Sequence, residues 1–146
     1  MTTPPNTQLR SFTAKDLTTL RDWFHDPVIK RRLSVPDDNW VQYIASNHVT
    51  CYTICDEDGG IVGFIQVDQD GAHDHWFQMV IAPDKQNLGF GQTALRQLSN
   101  LYVAKTTSLC AAVAPDNFAS LQCLAKSGFM QSGLPDADGL LIYRQA

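Results

Sequence analysis

The chain has 146 residues, of which 44% are hydrophobic and 18% are charged, and its formal net charge is −4 with an isoelectric point near 5.4. This length suits one compact core, so we expect a single domain over residues 9–146 after a polar tail over residues 1–8. The acidic balance, interrupted only by Lys30, Arg31 and Arg32, excludes a broad positive surface for nucleic acid, and no apolar run approaches the length of a membrane span.

The first part of the chain is predicted to be a short strand followed by helices. Residues 9–12 have strand character, and Thr13 with Asp16 has the spacing of a capping box that opens an amphipathic helix. The predicted inner face of that helix consists of Leu17, Leu20, Trp23 and Phe24. Pro27 ends it, and residues 28–33 and 37–45 predict one or two further short helices.

The middle of the chain is predicted to be a β-meander followed by a helix. Residues 49–55, 61–67 and 75–81 have strand character and are separated by Asp- and Gly-rich turns, which predicts three consecutive antiparallel strands. Pro83 ends the third strand. Beyond a glycine-bearing turn, helical spacing relates the apolar residues Ala94, Leu95, Leu98, Leu101 and Tyr102. We expect this helix to lie across the sheet.

The last part of the chain is predicted to complete the sheet. Residues 109–113 form a short apolar run typical of a strand buried on both faces, which we expect to be parallel to the strand before the helix. A further helix begins near Pro115 and ends at Gly128, which suits a left-handed C-cap. Its predicted inner face is Phe118, Leu121, Leu124 and Ala125. Residues 129–132 and 140–144 predict two closing strands.

The cysteines and the start of the chain indicate a cytoplasmic protein. The first ten residues are polar and rich in Thr and Pro, without the layout of a signal peptide. No close C-x-x-C pair suggests a metal site among Cys51, Cys55, Cys110 and Cys123. We therefore expect reduced, mostly buried thiols and no metal.

The most informative segment is the turn over residues 81–91, which joins a predicted strand to a predicted helix. It contains Gln86, Gly89 and Gly91 as Gln-x-x-Gly-x-Gly. Successive main-chain N–H groups in such a turn converge on an anion, and the helix N-terminus adds unsatisfied donors and a favourable dipole. The pattern predicts a pyrophosphate site, which an acidic protein can form because the attraction comes from local amides.

Other glycine motifs fit this turn less well. A Rossmann motif follows an early strand of a repeated βαβ pattern, whereas three antiparallel strands come first here. A Walker A motif ends in Gly-Lys-Ser/Thr, which is missing here. An ordinary architectural turn remains as the alternative.

Two motifs resemble those of the GCN5-related N-acetyltransferase (GNAT) family. The family's glycine element, [Q/R]-x-x-G-x-[G/A] after a strand ending in V-x-P, is matched by Ile81, Pro83, Gln86, Gly89 and Gly91. A second motif, N-x-x-[A/S]-x-x-x-Y-x-K-x-G-F, is matched by Asn117, Ser120, Lys126, Gly128 and Phe129. The order of the predicted elements over residues 9–144 also resembles that of the family.

The resemblance implies an α/β (α+β) fold with a mixed, mostly antiparallel sheet of six or seven strands, flanked by about four helices and splayed between the fourth and fifth strands. Acetyl-coenzyme A would lie in the splay as cosubstrate. The matching positions would bind pantetheine and thioester through Val80 and Ile81, pyrophosphate through Gln86, Asn87, Leu88, Gly89, Phe90 and Gly91, and pantetheine or phosphate through Asn117.

The resemblance also implies direct transfer of an acetyl group to a primary amine. Many members carry a glutamate base where this chain has His75. Because alternate residues of a strand face the same side of the sheet, we expect His75 to lie on the same face as Phe77, Met79 and Ile81. Its place near a turn also suits a solvated surface histidine. The usual tyrosine acid is replaced by Leu124, which has no proton to give. The groups left to protonate the thiolate are Cys123, which also suits a packing role, Tyr102, Tyr143 and solvent.

The acceptor and the partners stay open at this stage. The resemblance places the acceptor at residues 23–26, 37–40 and 135–139. These segments offer Asp26, Asp37, Asp38, Asp136 and Asp138 to a cationic amine, although each also suits a cap, turn or surface position. Candidates are a polyamine-like or aminoglycoside-like molecule, an amino acid, and a protein N-terminus or lysine. We expect a monomer or homodimer with no nucleic-acid or membrane partner.

Two functions compete with acetyl transfer. A non-catalytic acyl-coenzyme A sensor or regulatory module would keep the pyrophosphate turn and dispense with acid and base, and Leu124 favours it. An architectural turn in a protein-binding domain would bind no coenzyme.

Overall fold

The computed structural model describes residues 5–71, 73–103 and 107–145. Within these ranges the elements are β1 (Thr7–Ser11), α1 (Asp16–Asp22), α2 (Pro27–Arg32), α3 (Asp38–Ile44), β2 (Val49–Asp56), β3 (Ile61–Asp70), β4 (Asp74–Ile81), α4 (Phe90–Tyr102), β5 (Ser108–Val113), α5 (Phe118–Lys126), β6 (Phe129–Gln131) and β7 (Leu141–Gln145). Short 3₁₀ turns cover Trp23–His25 and Pro83–Lys85.

The strands form one mixed sheet in the order β1-β2-β3-β4-β5-β7-β6. Only the β4–β5 pair is parallel, and the other neighbours are antiparallel. This confirms the predicted fold class, with seven strands and with five α-helices rather than four in the described residues. β1 begins at Thr7, two residues before its predicted start, because its first residues pair with the end of β2.

Helices cover both faces of the sheet and create two apolar clusters. α4 and α5 cover one face and bury a large cluster that includes Leu95, Leu98 and Leu109. α1 and α2 cover the other face and bury a smaller cluster around Trp23 and Phe24. Two hydrophobic layers on one sheet explain why β3 reads as an almost continuous apolar run.

The predicted inner faces of two helices need correction. In α5, Phe118 is 75% exposed and Ala125 is exposed, whereas Leu124 is buried and Leu121 and Cys123 pack against the core. Successive residues of a helix are rotated by about 100° around its axis. Phe118 and Ala125 therefore point more than about 100° away from the mean direction of the packed residues Leu121, Cys123 and Leu124. In α4, Leu101 lies at the edge of the helix face formed by the buried residues Leu95, Leu98 and Tyr102, and its side chain is exposed.

A buried carboxylate ties α1 to the sheet. Asp16 accepts hydrogen bonds from the Arg10 guanidinium, at 2.8 Å to both nitrogens, from the Thr13 main-chain N–H at 2.9 Å and from the Thr53 hydroxyl at 2.8 Å. Only the carboxylate half of the predicted capping box forms, and α1 begins at Asp16 itself. The Arg10 guanidinium, above all, holds the pKa of Asp16 far below its usual range.

Three further expectations concern thiols, metals and membranes. Cys51, Cys55, Cys110 and Cys123 are free cysteines, of which Cys55 and Cys110 are buried. The described residues contain no cluster of three His, Cys, Asp or Glu side chains that could hold a metal ion. None of the helices in this part of the chain is long and apolar enough to cross a membrane.

Candidate functional site

The sheet opens where β4 and β5 separate. The two strands pair only through Asp74 with Ser108, His75 with Leu109 and Trp76 with Cys110. Beyond that point β4 continues to pair with β3, and β5 pairs with β7 from Cys110 to Val113. In the described residues, the second half of β4 therefore has no strand neighbour on its β5 side. This is the splay between the fourth and fifth strands that the resemblance to the GNAT family implied.

The glycine turn, residues 82–91, lies at the end of β4 on the open side of the sheet. Asn87 and Gly89 adopt positive φ angles of 62° and 92°, so the chain turns twice through the left-handed region before α4 begins. Asparagine tolerates this conformation better than most side chains, and glycine adopts it without steric cost. The Gln86 side chain donates from Nε2 to the Ile81 carbonyl at 3.2 Å and ties the turn back to the strand.

The main-chain N–H groups of residues 86–91 are available for a ligand. Among the described residues none of these six groups has a hydrogen-bond acceptor, and the first bond of α4 runs from the Thr93 N–H to the Gly89 carbonyl at 3.1 Å. A series of unbonded donors at the start of a thirteen-residue helix is a favourable anion site. The amides are therefore not tied up within the described part of the protein.

The two glycines of the motif have different surroundings. A Cβ at Gly91 would lie 3.2 Å from Met79 Cε and 3.3 Å from Cys123 Sγ, so this residue faces the core. A Cβ at Gly89 would meet only Pro5, at 3.1 Å from its Cδ. Gly91 is therefore a packing position for α4 against β4, and Gly89 is the backbone hinge.

The other predicted cofactor residues border the splay. Val80 and Ile81 are the last residues of β4, and Val80 lies on the face covered by α1 and α2. Asn117 caps α5, its Oδ1 accepting the Ser120 N–H at 3.4 Å, immediately after β5 and its turn. Its side chain thus has a structural task at the position where the resemblance places cofactor contact.

The two predicted catalytic residues lie in different places. Cys123 packs beside Gly91 at the start of α4, and burial, above all, raises the pKa of its thiol. His75 is six residues before Ile81, roughly 20 Å along the strand, and its ring meets Tyr102 edge to face at 5.1 Å between centroids. The structure therefore brings Cys123, and not His75, to the glycine turn.

The two tyrosine candidates for the acid lie in different places, and the residue at the usual acid position is buried. Leu124 is 4% exposed and belongs to the core. Tyr102 ends α4, about 18 Å from its first turn, and burial raises the pKa of its phenol. Tyr143 pairs with Ala111 on β5, next to the point where the strands part.

A cleft of about 280 Å³ lies on the other face of β4, between the sheet and the segment that runs from α1 to α3. Val80 and Met79 line it, so it reaches the same stretch of β4 that leads to the glycine turn. Its lining is Phe24, Leu33, Ser34, Pro36, Trp40, Tyr43, Cys51, Phe64, Ile65, Gln66, Gln78, Met79 and Val80.

A hydrogen-bonded network fixes the polar wall of this cleft. The Trp40 indole N–H donates to Gln66 Oε1 at 2.8 Å, and Gln66 Nε2 donates to Asp68 Oδ1 at 2.8 Å. The Tyr43 hydroxyl donates to the other oxygen of Asp68. Burial and the Asp68 charge raise the pKa of the Cys51 thiol to about 12, which keeps it neutral. The cleft thus offers fixed amide and aromatic groups.

The sequence analysis did not predict this network, although the polar residues in the predicted strands indicated it. Cys51, Gln66 and Gln78 occupy matching positions on β2, β3 and β4 and so share one row across the sheet. Gln66 is an amide inside a strand whose neighbours Ile65 and Val67 are fully buried. Polar residues at alternating positions of apolar strands indicate a solvated or ligand-bearing face.

Comparison with known proteins identifies the family. The model for the acetyltransferase (GNAT) domain matches residues 6–130. The chain therefore belongs to the GNAT acetyltransferase family. No curated protein matches the sequence.

Solved structures agree with this fold. An aminoglycoside acetyltransferase AAC(6')-Ib, solved with coenzyme A and kanamycin, is 22% identical with a TM-score of 0.80, over 95% of this chain and 93% of that one. The spermidine N-acetyltransferase from Vibrio cholerae, solved with coenzyme A and spermine, is 16% identical with a TM-score of 0.77, over 94% and 92%. At these identities the likeness establishes the fold.

Proposed function

We propose that the chain is an acetyl-coenzyme A-dependent N-acetyltransferase that transfers an acetyl group directly to a primary amine of a small molecule or peptide. The observation that carries this proposal is the run of unbonded amides in residues 86–91, at the end of the strand where the sheet opens. Family membership and the acetyltransferases of the same fold support it.

The cofactor half of the site follows from this geometry. The amides of Gln86, Asn87, Leu88, Gly89, Phe90 and Gly91 would bind the pyrophosphate, since oriented N–H groups at a helix N-terminus attract an anion. Val80 and Ile81 would offer main-chain groups on the open edge of β4 to the pantetheine arm, and Asn117 would border it from the start of α5.

The chemical step requires a neutral amine beside the thioester. The amine nitrogen forms a bond to the carbonyl carbon and gives up a proton to solvent or a base, the carbon–sulfur bond breaks, and coenzyme A leaves as a thiolate that takes up a proton. An alkylammonium has a pKa near about 10.4, so the amine must lose a proton to solvent or to a base before attack. Cys123 is a neutral thiol next to the glycine turn and is our candidate for returning a proton to the thiolate.

The proposal is tested by calorimetry and by release of free thiol. We expect saturable binding of acetyl-coenzyme A, and thiol release that depends on both the cofactor and an added primary amine. Substituting Cys123 by alanine should slow thiol release without weakening cofactor binding. If the folded protein shows no saturable binding of acetyl-coenzyme A, the proposal is wrong and the glycine turn has only a structural role.

Leu124 favours a second candidate, a non-catalytic acyl-coenzyme A sensor. The residue that replaces the usual tyrosine acid is buried in the core and has no proton to give. Tight binding of acetyl-coenzyme A without thiol release on any of a broad set of amines would support the sensor and contradict the transferase.

A further inference from the structure

The cleft beside β4 is uncharged. None of the described residues that line it is an acid, a lysine, an arginine or a histidine. Its volume of about 280 Å³ lies just below the range of roughly 300–1,000 Å³ that is typical of small-molecule sites. Trp40 and Tyr43 supply aromatic surface, and Gln66 and Gln78 supply amides.

Of the five carboxylates predicted as candidates for binding a cationic acceptor, three accept hydrogen bonds from main-chain N–H groups and the other two are exposed. Asp26 caps α2 by accepting the Val28 and Ile29 N–H groups, and Asp37 caps α3 by accepting the Trp40 N–H. Asp136 accepts two N–H groups within its own loop, from residues 138 and 140. Asp38 is exposed and 3.7 Å from an Arg21 nitrogen, and Asp138 is also exposed.

The one carboxylate beside the cleft is already engaged. Asp68 lies on β3 two residues beyond Gln66, on the same side of the sheet, and accepts from Gln66 on one oxygen and from Tyr43 on the other. The negative charge of Asp68 can attract one ammonium group in the cleft. A ligand with several ammonium groups would find no carboxylate for the others among the described lining residues.

The rim of the cleft carries basic side chains, two of which are paired with carboxylates. The Arg21 Nε donates to the carbonyl of Pro36, which lines the cleft, at 2.9 Å, and another Arg21 nitrogen lies 3.7 Å from Asp38. α2 ends in Lys30, Arg31 and Arg32 immediately before the lining residues Leu33 and Ser34, and Arg32 pairs with Asp116 at 2.9 Å. Because the rim holds paired charges of both signs, the uncharged lining is what disfavours a ligand that bears several ammonium groups.

We infer that the acceptor is a monoamine, with one primary amino group on an otherwise uncharged, aliphatic or aromatic body. This inference rests on the proposed transfer function and narrows it. A polycation such as spermine would bring several ammonium groups into an uncharged cleft, where each loses hydration without gaining a partner. A monoamine needs to place only its reacting nitrogen near Val80 and can bury its body against Trp40 and Phe24.

Gln78 is the residue that sets this preference. It lies on β4 two residues before Val80, opposite Gln66, and its side chain makes no hydrogen bond to any described residue. Its amide is therefore a free donor and acceptor in the part of the cleft nearest to the reacting end. A carboxylate at this position would be the first anionic group in the lining.

The test compares hexylamine with hexamethylenediamine, which are of nearly equal length and differ in the second ammonium group. We expect kcat/KM from thiol release to be at least about tenfold higher for hexylamine, after correction for the two amino groups of the diamine. Calorimetric binding of the two amines to the protein–coenzyme A complex should follow the same order. A diamine that is used equally well or better overturns the inference and leaves the proposed transferase intact.

Two variants locate the preference. Gln78→Glu should move the ratio of the two kcat/KM values toward the diamine by at least about tenfold, because it adds a charge partner in the cleft. Gln78→Ala, which removes the amide without adding charge, should leave the ratio within about twofold. An unchanged ratio in a Gln78→Glu protein that binds acetyl-coenzyme A normally overturns the role of Gln78. Cofactor binding without thiol release from any amine overturns the transferase itself, and the inference with it.

Discussion

Replacing Gly89 by alanine should weaken the binding of acetyl-coenzyme A strongly while lowering the free energy of unfolding only slightly. Gly89 has a φ of 92°, where an L-residue costs roughly 1–2 kcal/mol, and the new Cβ would lie 3.1 Å from Pro5 Cδ. Part of this cost is offset by about 0.4–1 kcal/mol from the lower entropy of the unfolded chain. The free energy of unfolding should therefore fall by only about 1 kcal/mol.

The effect on acetyl-coenzyme A should be larger. Rotation of the turn relieves the strain and reorients the adjoining N–H groups of Gly89 and Phe90, which we propose as pyrophosphate donors. Losing one charge-assisted hydrogen bond costs about 1.5–3 kcal/mol, so the Kd should rise roughly tenfold or more. Calorimetric titration with acetyl-coenzyme A measures this, and urea unfolding measures the stability.

Gly71 provides the matched control. It also has a positive φ, of 71°, and a Cβ there would meet nothing within 4 Å. It follows β3, at the other end of β4 from the glycine turn. Gly71→Ala should lose similar stability and keep the original Kd. Equal affinities in the two folded variants would refute our assignment of the pyrophosphate site.

Three further variants test the rest of the structure. Gly63→Ala places a Cβ 2.8 Å from the Val80 carbonyl, so urea unfolding should show a loss of roughly 1–3 kcal/mol, and an unchanged midpoint would contradict the tight contact between β3 and β4. Asp16→Asn should cost about 1–3 kcal/mol at neutral pH, a value reduced because the Arg10 partner is partly exposed. Because folding lowers the pKa of Asp16, its contribution is present above about pH 4 and is lost as the pH falls further, so thermal melts of the variant should depend less on pH there. His75→Phe keeps a ring at this position and should retain the rate of thiol release, whereas a loss of rate in the stable variant would establish the histidine as a base.

Local patterns predicted most of the fold. The strands, the parallel β4–β5 pair and the left-handed cap at Gly128 depend on turn chemistry and on apolar periodicity within a few residues of each feature. The glycine turn belongs to the same class, because its main-chain donors are consecutive in sequence. The sequence therefore predicted its place at the strand end.

Features that depend on packing between distant segments could not be predicted. Phe118 has helical spacing with Leu121, but the direction in which α5 faces is set by its contact with α4 and the sheet, and Phe118 turns outward. The glycine at position 91 is required by a cysteine 32 residues away in α5. The cleft that we propose as the acceptor site likewise forms where β2, β3 and β4 meet α3.

The use of main-chain donors in the glycine turn has an evolutionary consequence. Every residue except proline carries an amide hydrogen, so a turn held by Asn87 and Gly89 keeps its donors while surrounding side chains change. The opposite face of β4 has no such constraint, since the groups that line its cleft are side chains such as Gln78. In the proposed function a single strand would thus preserve the cofactor side of the site while the acceptor side diversifies, which is consistent with a shared backbone at about one identical residue in five.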